Sequence, residues 1–169
     1  MSESASPPSA ASTQDSSHAA AGIRSQQVVL DTNAVLDLLV FRDPSAQALM
    51  HALQSGQLRW VATTHLLEEL RRVLDYPAVR ARAPEDASDE RWTAELLGQS
   101  AKLVHLHTAP LHPCPVRCLD ADDQPFLDLA HTLTCPLISK DKRVQQAARK
   151  ARLICVPHGD ALLALPGLR

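Results

Sequence analysis

Residues 28–39 read VVLDTNAVLDLL, a short apolar run followed by an acid and a second apolar segment. The run from Val28 to Leu30 has no polar alternation, which is typical of a central strand covered on both faces. Asp31 follows this strand directly, and the residues after it predict a helix. From Gln27 onward, short apolar runs alternate with helix-period segments about five times. The pattern predicts an α/β fold, with a parallel sheet flanked by helices.

Capping residues and breakers define the other predicted elements. Asp43 and Pro44 predict the start of a helix that Gly56 closes, and Thr63 or Thr64 caps the next one. The further strands are predicted at 58–62, 103–106, 137–139 and 153–156. The further helices are predicted at 64–75, before the breaker Pro77, at 89–101, at 124–133 and in the basic segment between the last two strands.

Length and composition predict one globular domain with a tail. The 169 residues are 45% hydrophobic and 21% charged, enough apolar material for a single core. Residues 1–26, rich in Ser, Ala and Pro, are predicted to be a disordered tail, and residues 27–169 to form the domain. The sequence shows neither a membrane-length apolar stretch nor a secretory signal pattern, so a cytoplasmic protein is expected.

Charge and side-chain chemistry narrow the classes of partner. The net charge of −2 means that nucleic-acid binding requires a local basic patch. Aromatic residues make up only 3%, which argues against a base-stacking sheet. The four cysteines are unevenly spaced and are expected to be free thiols.

Four acids fall where a parallel sheet would bring them together. Asp31 and Asp141 follow predicted strands, and ligand sites of open parallel sheets lie at the carboxyl ends of strands. Glu69 lies on the helix after the second strand, and Asp123 begins the fourth helix. Clustered carboxylates repel one another unless they bind protons or a cation, and all-oxygen ligands favour Mg²⁺ or Mn²⁺. Such ions activate water and neutralise phosphoryl charge, so the pattern predicts phosphodiester hydrolysis.

Helical periodicity separates two of these acids from their neighbours. Glu69 lies about 110° from the centre of the apolar stripe of its helix, and Glu68 about 150°. Glu69 is therefore predicted to flank the core, whereas Glu68 faces solvent. On the fourth helix, Asp123 lies near the buried side, and Asp128 lies opposite and is expected to be a solvated charge.

Four segments together resemble the PIN domain family, specifically the bacterial toxin components of toxin–antitoxin systems. They are VVLDTNAVLDLL at 28–39, THLLEELRRVLDYP at 64–77, DADDQPFLDLA at 120–130 and LISKDKRV at 137–144. The resemblance covers about residues 27–165. It implies a five-stranded parallel sheet in the order 3-2-1-4-5 and an Mg²⁺- or Mn²⁺-dependent single-strand ribonuclease. It also implies single-stranded RNA as substrate, with a small antitoxin protein or a second copy of the chain as a possible partner.

The resemblance also assigns roles to individual residues. It implies metal binding and catalysis by four acids and hydrogen-bonded support from two neighbours, namely Asp31, Glu69, Asp123 and Asp141, with Asn33 and Ser139 in support. The chain departs from the family at Arg143, where many members carry a further acid. A complete second metal site therefore lacks one of its usual ligands.

Several positions have alternative interpretations at this stage. The basic residues Lys140, Lys142 and Arg143 either contact RNA phosphates or form a solvated helix face, with RNA favoured by their proximity to Asp141. Asp120 or Asp122 would replace Asp123 as a ligand if the fourth helix began earlier. Asp31 also suits a turn cap, and Glu69 suits a surface pair with Arg72. The His and Cys residues of 105–118 lack the paired spacing of structural zinc sites and are expected to be strand and loop residues.

Two other function classes are compatible with parts of the sequence. In an aspartyl-phosphate phosphatase Asp31 would be the nucleophile. Haloacid-dehalogenase-like enzymes have a second Asp where this chain has Asn33, which disfavours that class. A PIN fold kept for RNA or protein binding without catalysis is the other alternative, and Arg143 favours it.

Overall fold

The computed structural model describes residues 25–84 and 88–165. The strands are β1 Gln26–Leu30, β2 Leu58–Ala62, β3 Val104–Leu106, β4 Leu137–Ile138 and β5 Cys155–Val156. The helices are α1 Thr32–Leu39, α2 Gln47–Gln54, α3 Thr64–Leu74, α4 Pro77–Arg80, α5 Asp89–Leu103, α6 Gln124–Leu133, α7 Lys142–Lys150 and α8 Ala161–Ala164. Two 3₁₀ turns cover Pro44–Ala46 and His158–Asp160.

The five strands form one parallel sheet in the order β3-β2-β1-β4-β5. β1 is central, because Val28 pairs with Trp60 of β2 on one side and Val29 pairs with Leu137 of β4 on the other. The predicted α/β class and strand order are therefore confirmed. The carboxyl ends of all five strands lie at the same edge of the sheet, which is the edge that carries Asp31.

The core forms where helices cover this sheet. Val28, Val29 and Leu30 of β1 are buried, as their unbroken apolar run predicts. α6 packs against β1 and α7, and places the fully buried Leu127 and Leu129 in the core. On α1, α3 and α5, which contact one another, the 3.6-residue spacing of apolar side chains produces the buried faces.

Most predicted element boundaries lie within two residues of the observed ones, and some elements differ in other respects. Pro77 ends α3 as predicted, but it also begins α4, because proline fits the first turn of a helix. The turn at His158–Asp160 and α8 were not predicted. β5 begins later than predicted because Leu153 N–H donates to Ala148 O at the end of α7 and does not join the sheet.

Three further sequence predictions concern the tail, the cysteines and membrane-length helices. The predicted tail falls outside the described residues up to position 24, and β1 begins at Gln26. All four cysteines are free thiols. Within 25–84 and 88–165, no helix combines the length and the apolar character needed to cross a membrane.

Candidate metal centre

Asp31 lies at the end of the central strand and is almost completely buried, with 4% of its surface exposed. Its Oδ1 accepts a hydrogen bond from Ala34 N at 2.6 Å, which caps α1. Its own N–H donates to Ile138 O of β4 at 3.1 Å. Burial raises the pKa of the Asp31 carboxyl above its usual value, although hydrogen bonds from Ser139 and Ala34 oppose the rise.

Glu69 is fixed beside Asp31 by a contact between two helices. Thr32, the first residue of α1, donates its hydroxyl proton to Glu69 Oε1 on α3 at 3.0 Å. Glu69 is partly buried and Glu68 is exposed, which confirms the placement that helical periodicity predicted. Within the described part of the chain Glu69 forms no ion pair with Arg72.

Asp123 precedes α6 and is partly buried. The pKa of its carboxyl is raised to about 6, first by desolvation and then by the negative charge of Asp120. Asp141, Asp31 and Glu69 raise it further in the same direction. The other three predicted ligands are therefore close enough to Asp123 for their charges to act on it.

Asp141 lies in the loop between β4 and α7 and is exposed. Its Oδ1 caps α7 by accepting hydrogen bonds from Arg143 N at 2.6 Å and Val144 N at 3.3 Å. Its N–H donates to the hydroxyl oxygen of Ser139, which is itself completely buried. Ser139 therefore forms hydrogen bonds with both Asp31 and Asp141, and its role in supporting a metal site stays a prediction.

A cavity of about 370 Å³ opens at this edge of the sheet. Asp31, Glu69 and Asp123 line it, together with Thr32 and Asn33. Asn33 is exposed, as expected for a residue on the rim of a cavity. The structure therefore brings three of the four predicted ligands and one predicted supporting residue into one cavity, and Asp141 acts on it electrostatically.

The four predicted ligands have the chemistry that a hard divalent cation requires. All of them offer oxygen atoms, and Mg²⁺ and Mn²⁺ prefer such ligands. Over 25–84 and 88–165, Asp31, Glu69, Asp123 and Asp141 form no ion pair with a basic side chain. In the same ranges, no three of the four have oxygens all within 4.8 Å of one another, so one ion bound by three of them requires side-chain movement.

A second group of charged residues was not predicted, and we refer to Asp37, Asp43, Lys140 and His158 as the Asp37 cluster. Lys140 Nζ lies 2.5 Å from Asp37 Oδ2 and 3.8 Å from Asp43 Oδ2. His158 is buried, with Nδ1 3.5 Å from Asp37 Oδ2 and Nε2 3.4 Å from Asp43 Oδ2. Ser45 donates its hydroxyl proton to Asp43 Oδ1, so the hydrogen bond between its oxygen and His158 Nε2 must be donated by the imidazole.

The Asp37 cluster joins four separate parts of the chain. It connects α1, the 3₁₀ turn at Pro44–Ala46, the loop after β4 and the 3₁₀ turn at His158–Asp160. Asp37, Asp43 and His158 have ligand atoms within 4.8 Å of one another and form the one such group in the described ranges, so they also make a possible metal site. In this arrangement the ammonium of Lys140 supplies the positive charge that the two carboxylates require.

The predicted RNA-contact residues therefore differ in their surroundings. Lys142 and Arg143 are exposed at the start of α7. Lys140 is paired with Asp37, and this pairing raises the pKa of its ammonium group through the hydrogen bond to that carboxylate. Since Lys140 stands between Ser139 and Asp141, its ion pair fixes the segment that carries the fourth predicted ligand.

The expectation that Asp128 is a solvated charge is wrong. Its Oδ1 accepts hydrogen bonds from Cys114 N and from Gln124 Nε2, both at 2.8 Å. Gln124 Oε1 in turn accepts from Cys118 N at 2.8 Å. The connection between β3 and α6 thus covers the face of α6 that was expected to meet water. Within the described ranges, the His and Cys residues of 105–118 belong to no group of metal-ligand spacing.

Comparison with models of protein families identifies the family of this chain. A family model described as a PIN domain matches residues 27–143. This segment contains all four acids of the candidate metal centre, and His158 of the Asp37 cluster lies outside it. No curated protein matches the chain.

We expect Asp123→Asn to stabilise the metal-free protein in a pH-dependent way. The Asp123 carboxyl binds a proton more tightly in the folded protein than in the unfolded chain, because folding raises its pKa from 3.8 to about 6. The ionised Asp123 carboxylate therefore destabilises the fold, and the full loss in the free energy of unfolding is present above about pH 6. This loss disappears as the pH falls toward 4, because the carboxyl is then protonated in the folded protein. In EDTA the variant should melt above the wild type at about pH 7.5 and lose most of this advantage by about pH 4.5. The same pattern in the exposed control Asp122→Asn would contradict this assignment.

We expect Lys140→Gln to destabilise the fold and Lys142→Gln to leave it nearly unchanged. The first change leaves the buried Asp37 without its nearest cation, at a cost of about 1–3 kcal/mol in the free energy of unfolding. The second alters an exposed side chain and should stay within about 0.5 kcal/mol. Urea denaturation midpoints of the two variants measure the difference. Equal midpoints would show that the Asp37 cluster does not hold these segments together.

Proposed function

The chain belongs to the PIN domain family, whose members are typically metal-dependent nucleases, and on this basis we propose that it is an endoribonuclease acting on single-stranded RNA with Mg²⁺ or Mn²⁺. The observation that carries the proposal is the convergence of Asp31, Glu69 and Asp123 on one cavity with no basic partner in the described ranges. The raised pKa values of Asp31 and Asp123 have the cause expected of such a site, because burial and neighbouring acids disfavour their charge.

The four acids would bind the cation from different structural elements. Asp31 directly follows β1, where the sheet fixes its backbone, and Asp141 lies in the loop after β4. Each of the two caps the helix that follows it. Glu69 and Asp123 approach from helices, and Thr32 holds the Glu69 carboxylate in place through its hydroxyl. When bound, a divalent cation lowers the pKa of water and stabilises the charge that develops on the phosphoryl oxygens.

RNA binding would depend on local positive charge, since the chain as a whole is slightly acidic. Lys142 and Arg143 lie at the amino end of α7, directly after Asp141, and are exposed. We assign them to phosphate contacts on one side of the cleavage position. Lys140 contributes through the Asp37 cluster by holding the loop of Asp141, in addition to any contact with RNA.

The finer biological assignment rests on the four segments that resemble bacterial toxin components. We propose that the protein is the toxin of a toxin–antitoxin pair and acts in the cytoplasm. A small antitoxin protein would block the cavity lined by Asp31, Glu69 and Asp123, which we call the acid cavity. A homodimer is a second possible assembly. A neighbouring reading frame for a small protein that inhibits cleavage would support this part of the proposal.

A PIN domain that binds RNA without cleaving it is the second candidate, and Arg143 is the observation that favours it. A positive charge two residues after Asp141 stands where a further acidic ligand would complete a second cation site. Family membership gives no support to the aspartyl-phosphate phosphatase.

The decisive experiment incubates the purified protein with end-labelled single-stranded RNA in Mg²⁺, in Mn²⁺ and in EDTA. We expect cleavage with either cation and none in EDTA. The products should carry 5′-phosphate and 3′-hydroxyl ends, because water attacks phosphorus directly. Cyclic phosphate ends that accumulate in EDTA would contradict the proposal, and RNA binding without cleavage would favour the second candidate.

A matched pair of substitutions tests the site in the same assay. Glu69→Gln removes a charge from the cavity, whereas Glu68→Gln alters an exposed neighbour of identical chemistry. We expect a loss of at least about 100-fold in cleavage rate for the first and less than about 2-fold for the second. Equal activities, or the reverse order, would exclude Glu69 as a ligand.

A further inference from the structure

The aromatic side chains of this protein are few, and their distribution is uneven. There are five, all within the described ranges, and Trp60, Trp92 and Phe126 are buried. The other two are exposed, Phe41 by 41% and Tyr76 by 56%. Both exposed rings line the same cavity as Asp31, Glu69 and Asp123. The aromatic surface that the chain offers to solvent is therefore concentrated at the acidic site.

The exposed position of Tyr76 is structurally fixed. Its N–H donates to Val73 O at 3.0 Å, and its carbonyl oxygen accepts from Val79 N at 2.9 Å. Pro77 follows it and begins α4. An exposed apolar ring on such a rigid backbone loses little conformational freedom when a ligand stacks on it.

Phe41 lines the same cavity from the segment after α1, and its backbone is also fixed by a hydrogen bond. Its N–H donates to Leu36 O at 2.9 Å at the end of α1. The guanidinium carbon of Arg82 lies 5.4 Å from the centre of its ring, which places a positive charge at the same rim.

The acid cavity continues past Tyr76 into a second cavity of about 270 Å³. The two share Glu69, Val73 and Tyr76 as lining residues. His65 and Arg72 of α3 line the second cavity together with Asp122, and Arg72 is the group in it that suits a phosphate. The acidic centre is thus flanked by an aromatic ring and then by a cavity that Arg72 lines.

We propose that Tyr76 and Phe41 bind nucleobases on either side of the phosphate held at the acid cavity, with Tyr76 as the main stacking surface. This inference rests on the proposed function and adds the form of substrate that the site accepts. Unstacked bases of a single strand present a free flat face to an aromatic ring, whereas the bases of a duplex do not. The site therefore selects single-stranded RNA by stacking, and Arg72 contacts a phosphate of the strand leaving the acid cavity.

The test measures binding, which makes it independent of cleavage. The full chain is titrated in Ca²⁺ into a fluorescent single-stranded RNA and into copies that each lack one base. We expect Tyr76→Ala to weaken binding by about 10- to 100-fold and Tyr76→Phe to keep it within about 2-fold. Removal of the base at one position should weaken wild-type binding by a similar factor. The same removal should have little further effect in Tyr76→Ala, because the two changes delete one interaction.

Ile154→Ala is the control, because Ile154 is an exposed apolar side chain before β5 at the opposite edge of the sheet. It should bind every RNA as the wild type does. The inference would be overturned if Tyr76→Ala lost the same factor of affinity for intact RNA and for every copy lacking a base. It would also be overturned if Tyr76→Ala bound intact RNA as tightly as the wild type, or if the wild type did not bind RNA. Selective loss with base removal but no cleavage in Mg²⁺ or Mn²⁺ would support the stacking site while refuting the nuclease. Cleavage in Mg²⁺ or Mn²⁺ without selective loss on base removal would support the nuclease and refute the stacking site.

Discussion

The carboxylate of Asp31 is held in a buried position at the end of the central strand, and the rest of the site depends on this unfavourable placement. β1 has neighbours on both sides, so the chain must leave the sheet at a point where the next residue is enclosed. Two hydrogen bonds support the charge, but burial still raises the pKa of this carboxyl. An additional positive charge is the simplest way to stabilise the ionised form.

Two groups of acids within the described ranges differ in whether a basic side chain balances their charge. In the Asp37 cluster, Lys140 lies within ion-pair distance of both carboxylates and His158 lies between them. At the acid cavity no basic side chain within 25–84 and 88–165 pairs with Asp31, Glu69 or Asp123. The first arrangement supports the fold, and the second is suited to a cation that comes from solution. The two are linked, because Lys140 adjoins Asp141 in sequence.

Local periodicity was sufficient to predict the α/β class, whereas the strand order was implied by the resemblance to the PIN family. The three acids that line the cavity were grouped from the geometry of parallel sheets and from the periodicity of their helices. Glu69 was distinguished from Glu68 by the apolar stripe of one helix alone. The Asp37 cluster was beyond such reasoning, because His158 meets Asp37 only through tertiary packing of a turn that has no periodic pattern. Asp128 was misplaced for a related reason, since the loop that covers it is irregular. Neither the size of the cavity nor the exposure of Tyr76 has a signature in the local sequence.

The central claim is that the acids around Asp31 bind a divalent cation, and thermal melting with and without Mn²⁺ tests it most directly. Asn serves as well as Asp at a helix cap, so Asp31→Asn should fold and should melt at or above the wild-type temperature in EDTA. At a Mn²⁺ concentration of about 100 times Kd, the wild type should gain about 2.7 kcal/mol, or roughly 5–10 °C, and the variant should gain little. An equal gain in both proteins would place the cation elsewhere, for example at the Asp37 cluster, and no gain in the wild type would contradict the account.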